Sequence, residues 1–301
     1  MNNSILIHQP KFNNYLILIF SLLPISIISG NFIMEINVFL IIISFLYFSI
    51  LNKEFLNEIT NNNFFYLILI LWVYLIINSF LGVDFSNSIR RNLLFFKFLL
   101  LILAFKYLLL NFEILKKILS FWTIIILIVC FDVYFEFLFG FNILGFVSPM
   151  KSERIVSFFK DELIVGNFLY AFLFIIVGSL IAEKKFKLAI SIGIIISLCI
   201  FLSGERSIMV KFIFSFFLMV FFLLNSLKIK FFSIIFFLVI TSSLLNIDFI
   251  KNRYLETTKK ELQLNNEDFS KNILDIKYLN QSVFSFEILK NYIYFGVGNK
   301  N

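Results

Sequence analysis

The sequence holds almost no residues for metal binding or disulfide chemistry. Its 301 residues include two cysteines, Cys130 and Cys199, and a single histidine, His8. Both cysteines lie inside apolar runs, without metal-ligand spacing or a disulfide framework, and read as small core residues. His8 precedes the first apolar run and reads as a surface residue. No metal site and no cofactor are expected. Proline (3) and glycine (10) are scarce too, so long runs go unbroken. No stretch alternates apolar and polar residues as a barrel strand would. No internal repeat is visible.

What the chain does have is apolar surface. It is 60% hydrophobic with a mean hydropathy of +0.95, well above the roughly half-apolar composition of soluble domains. Phenylalanine alone accounts for 45 residues. Phe, Ile, Asn and Lys all come from A/T-rich codons, so individual phenylalanines carry no functional meaning beyond lipid-facing packing. A helix crosses a bilayer with about 20 mainly apolar residues. Nine runs qualify: 15–30, 32–51, 64–82, 93–110, 118–139, 163–182, 188–203, 207–225 and 231–247. Pro24, Gly30 and Glu35 interrupt the first two. Backbone groups in lipid must be satisfied internally, so the expected fold is all-α, a polytopic bundle of about nine spans. The N-terminus lacks a small-residue cleavage site, so the first run reads as a retained span. The expected organisation is a membrane domain over 1–247 and an external segment over 248–301.

Charge distribution sets the expected sidedness. Lysine-rich loops ("LNKEFLNEIT", "NFEILKK", "EKKFK", "SLKIK") and Lys11 are placed in the cytoplasm. The alternate loops are then external: "VDFSNSIRRN", the stretch around 140–162, "SGER", and everything from Asp248 onward. All five arginines fall on that face: Arg90, Arg91, Arg154, Arg206 and Arg253. Arginine presents a planar fork that matches phosphate oxygens and stays charged. An arginine cluster at an outer interface suits an anionic ligand such as a lipid diphosphate. For Arg90 and Arg91, lipid head groups explain the charge equally well.

Two stretches concentrate the chemistry. In "CIFLSGERSIMVKFIF", residues 199–214, a tight corner Ser203-Gly204-Glu205-Arg206 interrupts an apolar run. Arg206 would start the next helix, where free N–H groups already favour an anion. Glu205 would pair with Arg206 or orient a nearby group. The plain alternative is an ordinary turn made possible by Gly204. In "SERIVSFFKDELIVGNFL", residues 152–169, Arg154, Lys160, Asp161 and Glu162 precede a span. Asp161 and Glu162 fit either a normal helix N-terminus or acid–base work and sugar-hydroxyl binding. Gly166 would allow close helix contact. Asp132 and Glu136 stand at i and i+4 and share a face; Lys97, Lys106 and Lys211 lie within or near spans. In the tail, Val283, Phe286, Ile288, Leu289 and Ile293 recur at helical spacing up to Gly296.

Three stretches in order, "RIVSFFKDELIVG", "LSGERSIMV" and "FEILKNYIYFGVGNKN", resemble the successive signatures of the bacterial O-antigen ligase and O-antigen polymerase family, over roughly residues 80–301. The resemblance implies a multi-pass protein of the bacterial inner membrane with a periplasmic active face. It implies transfer of glycan from undecaprenyl diphosphate to an acceptor hydroxyl in surface polysaccharide (lipopolysaccharide) biosynthesis, a metal-independent glycosyltransferase-type reaction. Carried over by position, Arg206 would contact the donor diphosphate, Arg154 would line the same cavity, and Arg253 falls where the family often places another external arginine; Arg206, Glu205, Asp161 and Glu162 are the candidate catalytic groups. Expected partners are the lipid-linked glycan, a glycan or lipid acceptor and membrane lipids, with no nucleic acid. Family members carry an external histidine beyond the Gly-x-Gly segment and then further spans, so a continuation past Asn301 is expected. The alternative reading is a transporter or flippase for an anionic or lipid-linked substrate, with Asp132, Glu136 and the lysines lining a path.

Overall fold

The computed structural model describes residues 10–51, 53–82, 84–109, 111–150, 153–223, 226–261 and 277–291, and every regular element among them is helical. In chain order these are α1 (Pro10–Ser21), α2 (Leu23–Ile28), α3 (Asn31–Leu51), α4 (Lys53–Thr60), α5 (Asn63–Leu81), α6 (Phe85–Leu108) and α7 (Phe112–Phe139). A 3₁₀ turn (Ser157–Phe159) leads to α8 (Val165–Ala182), α9 (Phe186–Leu202), α10 (Arg206–Leu223) and α11 (Leu227–Leu244). Then come α12 (Asp248–Lys251), a π-helical turn (Asn252–Glu256), α13 (Thr257–Glu261) and α14 (Lys277–Asn291). The expected all-α class holds among the described residues.

Four of these helices are long and apolar enough to cross a membrane: α3, α5, α7 and α8. A fifth span results if the stretches Ser233–Leu244 and Asp248–Lys259, which meet at 97°, form one broken span. The nine spans read from hydropathy are therefore not supported. Run 15–30 is split between α1 and α2, and Pro24 stands at the start of α2, where its ring is tolerated. Run 93–110 belongs to α6, which carries Arg90, Arg91, Lys97 and Lys106 along its length. Run 188–203 is α9, of 17 residues, short of the roughly 20 that a bilayer core demands. The apolar faces are extensive all the same: Phe32 is 78% exposed, Ile50 75% and Phe222 73%, the distribution of a protein whose solvent is lipid rather than water.

The described residues group into two compact units. The first holds α1, most of α2, α3 to α6, the start of α7 and α14. Its α5 and α6 are joined by Asn92, which is fully buried. The Asn92 side-chain amide donates to the Leu75 carbonyl and the Ser79 hydroxyl, each at 2.7 Å, and its backbone carbonyl accepts from the Trp72 indole at 3.1 Å. Phe20 meets Phe105 edge-on at 4.9 Å. Of the charges flagged in apolar runs, Lys97 pairs with Glu35 at 2.5 Å and Lys106 sits 4.0 Å above the Phe64 ring.

The second unit runs from Leu119 through α13, with residues 28–30. Here α8 and α9 form an antiparallel pair, and Trp122 of α7 packs edge-on against Phe172 of α8 at 5.2 Å. Phe201, Phe212, Phe216 and Phe237 knit α9, α10 and α11 together, with Phe216 stacked on Phe237 at 4.5 Å. The Cys199 thiol donates to the Cys130 carbonyl at 3.7 Å. Both cysteines are buried and free, in keeping with a packing role. Of the segment expected to be external from Asp248, α12 to α13 fold into the second unit and α14 into the first. Val283, Phe286, Ile288 and Leu289 do lie on a helix; Ile293 and Gly296 lie outside the described residues.

Candidate functional site

One end of the second unit gathers the C-terminal ends of α7 and α9, the N-terminal ends of α8 and α10, and the π-helical turn. The corner Ser203–Arg206 sits at its centre. Gly204 has φ +72°, a left-handed conformation that L side chains adopt at a cost. A Cβ at this position would also run into the Glu153 carbonyl and come within 3.3 Å of the Arg154 Cα. The missing side chain thus lets the segment 153–155 cross directly over the corner, where the Ile155 N–H donates to the Ser203 carbonyl at 3.3 Å.

Glu205 caps α10 through its own carbonyl, which accepts from the Ile208 and Met209 N–H groups at 3.1 and 3.0 Å. Its side chain is used elsewhere. The carboxylate is 5% exposed and accepts from the Gly166 N–H at 2.6 Å. Gly166 is the second residue of α8, whose own N-cap, Ile164, offers no side-chain acceptor. The first N–H groups of a helix need partners and carry partial positive charge, and the corner supplies the anion from another part of the chain. A Cβ at Gly166 would collide with Ser203 Oγ and approach Glu205 Oε1 at 3.0 Å, so glycine is required for that contact. Burial pushes the Glu205 carboxyl above its ordinary range, opposed by the Gly166 bond and by the charge of Arg154.

The C-terminal end of α9 receives the opposite charge. Arg253, on the π-helical turn and 7% exposed, donates from Nε to the Gly204 carbonyl at 3.0 Å and pairs through Nη1 with Glu153 at 2.5 Å. The Tyr254 hydroxyl donates to the Phe201 carbonyl at 3.0 Å. A cation at a helix C-terminus is favourable for the same dipolar reason. Widened π turns often mark functional positions. This one directs both Arg253 and Tyr254 into the corner.

Two further guanidiniums complete the cluster. Arg206 opens α10 and donates to the Thr258 hydroxyl at 3.2 Å. Arg154 reaches the Leu163 carbonyl with Nη2 at 3.4 Å, while its Nε is buried with no hydrogen-bond partner. Burial lowers the Arg154 pKa; Glu205 opposes that shift, and Arg253 and Arg206 add to it. Three arginines and two glutamates, Glu153 and Glu205, leave the cluster with a net positive charge.

Of the sequence-derived candidates, Arg154, Glu205, Arg206 and Arg253 come together here. Asp161 and Glu162 do not act as first-turn acids: α8 begins at Val165, and both side chains are exposed on the segment preceding it. The helix start lies further on because the chain first makes the turn at 157–159, with Lys160 at φ +56°. Arg90 and Arg91 belong to α6 in the other unit and are exposed. Asp132 and Glu136, 0% and 4% exposed, do share a face of α7, and both receive donors from the loop 142–157. Sequence reasoning missed Glu153, Ser157, Tyr254 and Thr258. Glu153 stood beside Arg154 in the motif and was available to it; the others depend on tertiary contacts without a local signal.

No family model, curated protein or solved structure matches the chain.

Proposed function

We propose that the corner is an anion site for a lipid-linked diphosphate and that the protein transfers glycan from that carrier to an acceptor hydroxyl, as its resemblance to O-antigen ligases and polymerases implies. The observation that carries this reading is the meeting of Arg154, Arg206 and Arg253 around Ser203–Arg206, with Arg154 Nε buried and unpartnered. Arg253 is committed to Gly204 and Glu153 and serves as a brace. Arg154 and Arg206 are the groups assigned to the diphosphate. In the proposed reaction the acceptor oxygen attacks the anomeric carbon, the bond from that carbon to phosphate oxygen breaks, the diphosphate departs with the electron pair and the hydroxyl proton is released. Guanidiniums fixed beside the leaving group stabilise charge as it develops. Asp161 and Glu162, exposed beside Arg154's loop, are assigned to sugar hydroxyls. The active face is assigned to the periplasmic side of the inner membrane.

The transport reading relied on Asp132 and Glu136 as path residues. Their oxygens accept from backbone and hydroxyl donors of a loop near the end of α7, which gives that reading no support. The decisive experiment is complementation of a ligase- or polymerase-deficient strain with the gene that encodes the chain, read as the glycan ladder on a gel. Arg206→Ala should abolish the ladder at unchanged protein level. Arg206→Lys, which keeps the charge but loses the fork, should be impaired. Arg90→Ala should be milder. A normal ladder from Arg206→Ala would overturn the proposal.

A further inference from the structure

The loop that delivers Arg154 is held from below by two buried carboxylates. On α7, Glu136 Oε2 accepts from the Ser157 N–H at 2.6 Å and the Val156 N–H at 3.3 Å, with Oε1 also 3.2 Å from the latter. One turn earlier, Asp132 Oδ2 accepts from the Ser157 hydroxyl at 2.6 Å and Oδ1 from the Ile143 N–H at 2.8 Å. Asn142 closes the set, donating to the Ser157 carbonyl at 2.8 Å. Every polar group of Ser157 is therefore occupied. Its φ of +52° is a conformation a serine keeps only when its surroundings impose it. Arg154 lies three residues before Ser157; between them the Ile155 N–H is anchored on the Ser203 carbonyl and the Val156 N–H on Glu136.

We infer that Asp132 and Glu136 form a latch that positions Arg154: by clamping Val156 and Ser157 they set the path of residues 153–157 over the corner and hold the Arg154 guanidinium at the anion site. The inference rests on the proposed diphosphate site for its functional consequence, but not for its geometry. The two carboxylates are positioning residues; neither is assigned a contact with substrate.

The test separates the two. In the full chain purified in detergent, modification of individual arginines by phenylglyoxal is followed by peptide mass spectrometry, and binding of undecaprenyl diphosphate is measured on the same samples. Glu136→Ala, which removes the acceptor of two N–H groups, should raise the reaction rate at Arg154 about tenfold and weaken binding by a similar factor. Arg206, whose Thr258 partner lies outside residues 153–157, should react at its wild-type rate. Glu136→Gln keeps a carbonyl oxygen where Oε2 stands and should restore both readouts. Ser157→Ala removes one bond only and provides a gentler variant if Glu136→Ala does not fold. An unchanged Arg154 rate in Glu136→Ala and in Ser157→Ala would overturn the latch. So would a parallel rise at Arg206, which would mean general loosening. If Arg154 responds as stated but wild type binds no undecaprenyl diphosphate, the latch stands and the diphosphate assignment fails.

Discussion

The two units use polar side chains differently. In the first, the buried side-chain contacts that join helices are neutral among the described residues: Asn92 links α5 to α6 through a carbonyl, a hydroxyl and an indole, and Asn37 meets Ser26. Its ion pair, Lys97 with Glu35, has both side chains substantially exposed. In the second, buried charged groups stand among the neutral ones, and each of them binds backbone. Glu205 holds the start of α8, Arg253 the end of α9, and Asp132 with Glu136 the loop behind α7. Burying a charge is expensive unless it is met by hydrogen bonds. A membrane bundle needs such residues for little besides function. Neutral pairing suffices to build a helix bundle; the charged set fixes loops at one end of the unit, where Arg154 and Arg206 are displayed.

That contrast can be broken or sharpened by substitution, with thermal unfolding in detergent as the readout. The largest loss is expected from Gly204→Ala, which forces a Cβ into a left-handed corner and against the Glu153 carbonyl, at roughly 4 kcal/mol. Glu205→Ala comes next, at about 2–3 kcal/mol, because it strands the Gly166 N–H and removes the anion beside Arg154. Glu205→Gln should recover much of that, since an amide oxygen still accepts from Gly166. In the first unit, Asn92→Ala should cost about 1 kcal/mol, the scale of interhelical hydrogen bonds in membranes. Lys97→Ala should cost about 0.5 kcal/mol or less, as expected for an exposed ion pair. An Asn92→Ala loss larger than that of Glu205→Ala would erase the distinction between the units.

Much of the helical layout was legible in hydropathy. The runs 32–51, 64–82, 163–182 and 188–203 match α3, α5, α8 and α9 to within two residues at either end, because apolar length is itself the signal. The two widest misses were helix starts. α6 and α7 extend upstream of their apolar runs through polar turns; Asp84 caps α6 by accepting from the Asn87 N–H at 3.1 Å, a signal present in the sequence but outweighed by polarity. The corner was legible as well: Gly204 at positive φ and Arg206 at a helix start follow from residue type and position. The partner of Glu205 was not, since Gly166 lies 39 residues earlier and nothing local links them. Nor was the role of Asp132 and Glu136. The i, i+4 spacing gave their common face, but only the folded loop shows that the face receives Ser157 instead of lining a path.

The most direct test of the account is equilibrium binding of undecaprenyl diphosphate to the purified protein in nanodiscs, with and without the corner cations. Wild type should bind saturably and more weakly as salt rises. Arg206→Ala and Arg154→Ala should each weaken binding by tenfold or more, the scale of a charge-assisted contact of about 1.5–3 kcal/mol, while Arg90→Ala leaves it nearly unchanged. Equal binding by wild type and Arg206→Ala, or a loss in Arg90→Ala as large as in Arg206→Ala, would contradict the claim that the corner is the anion site.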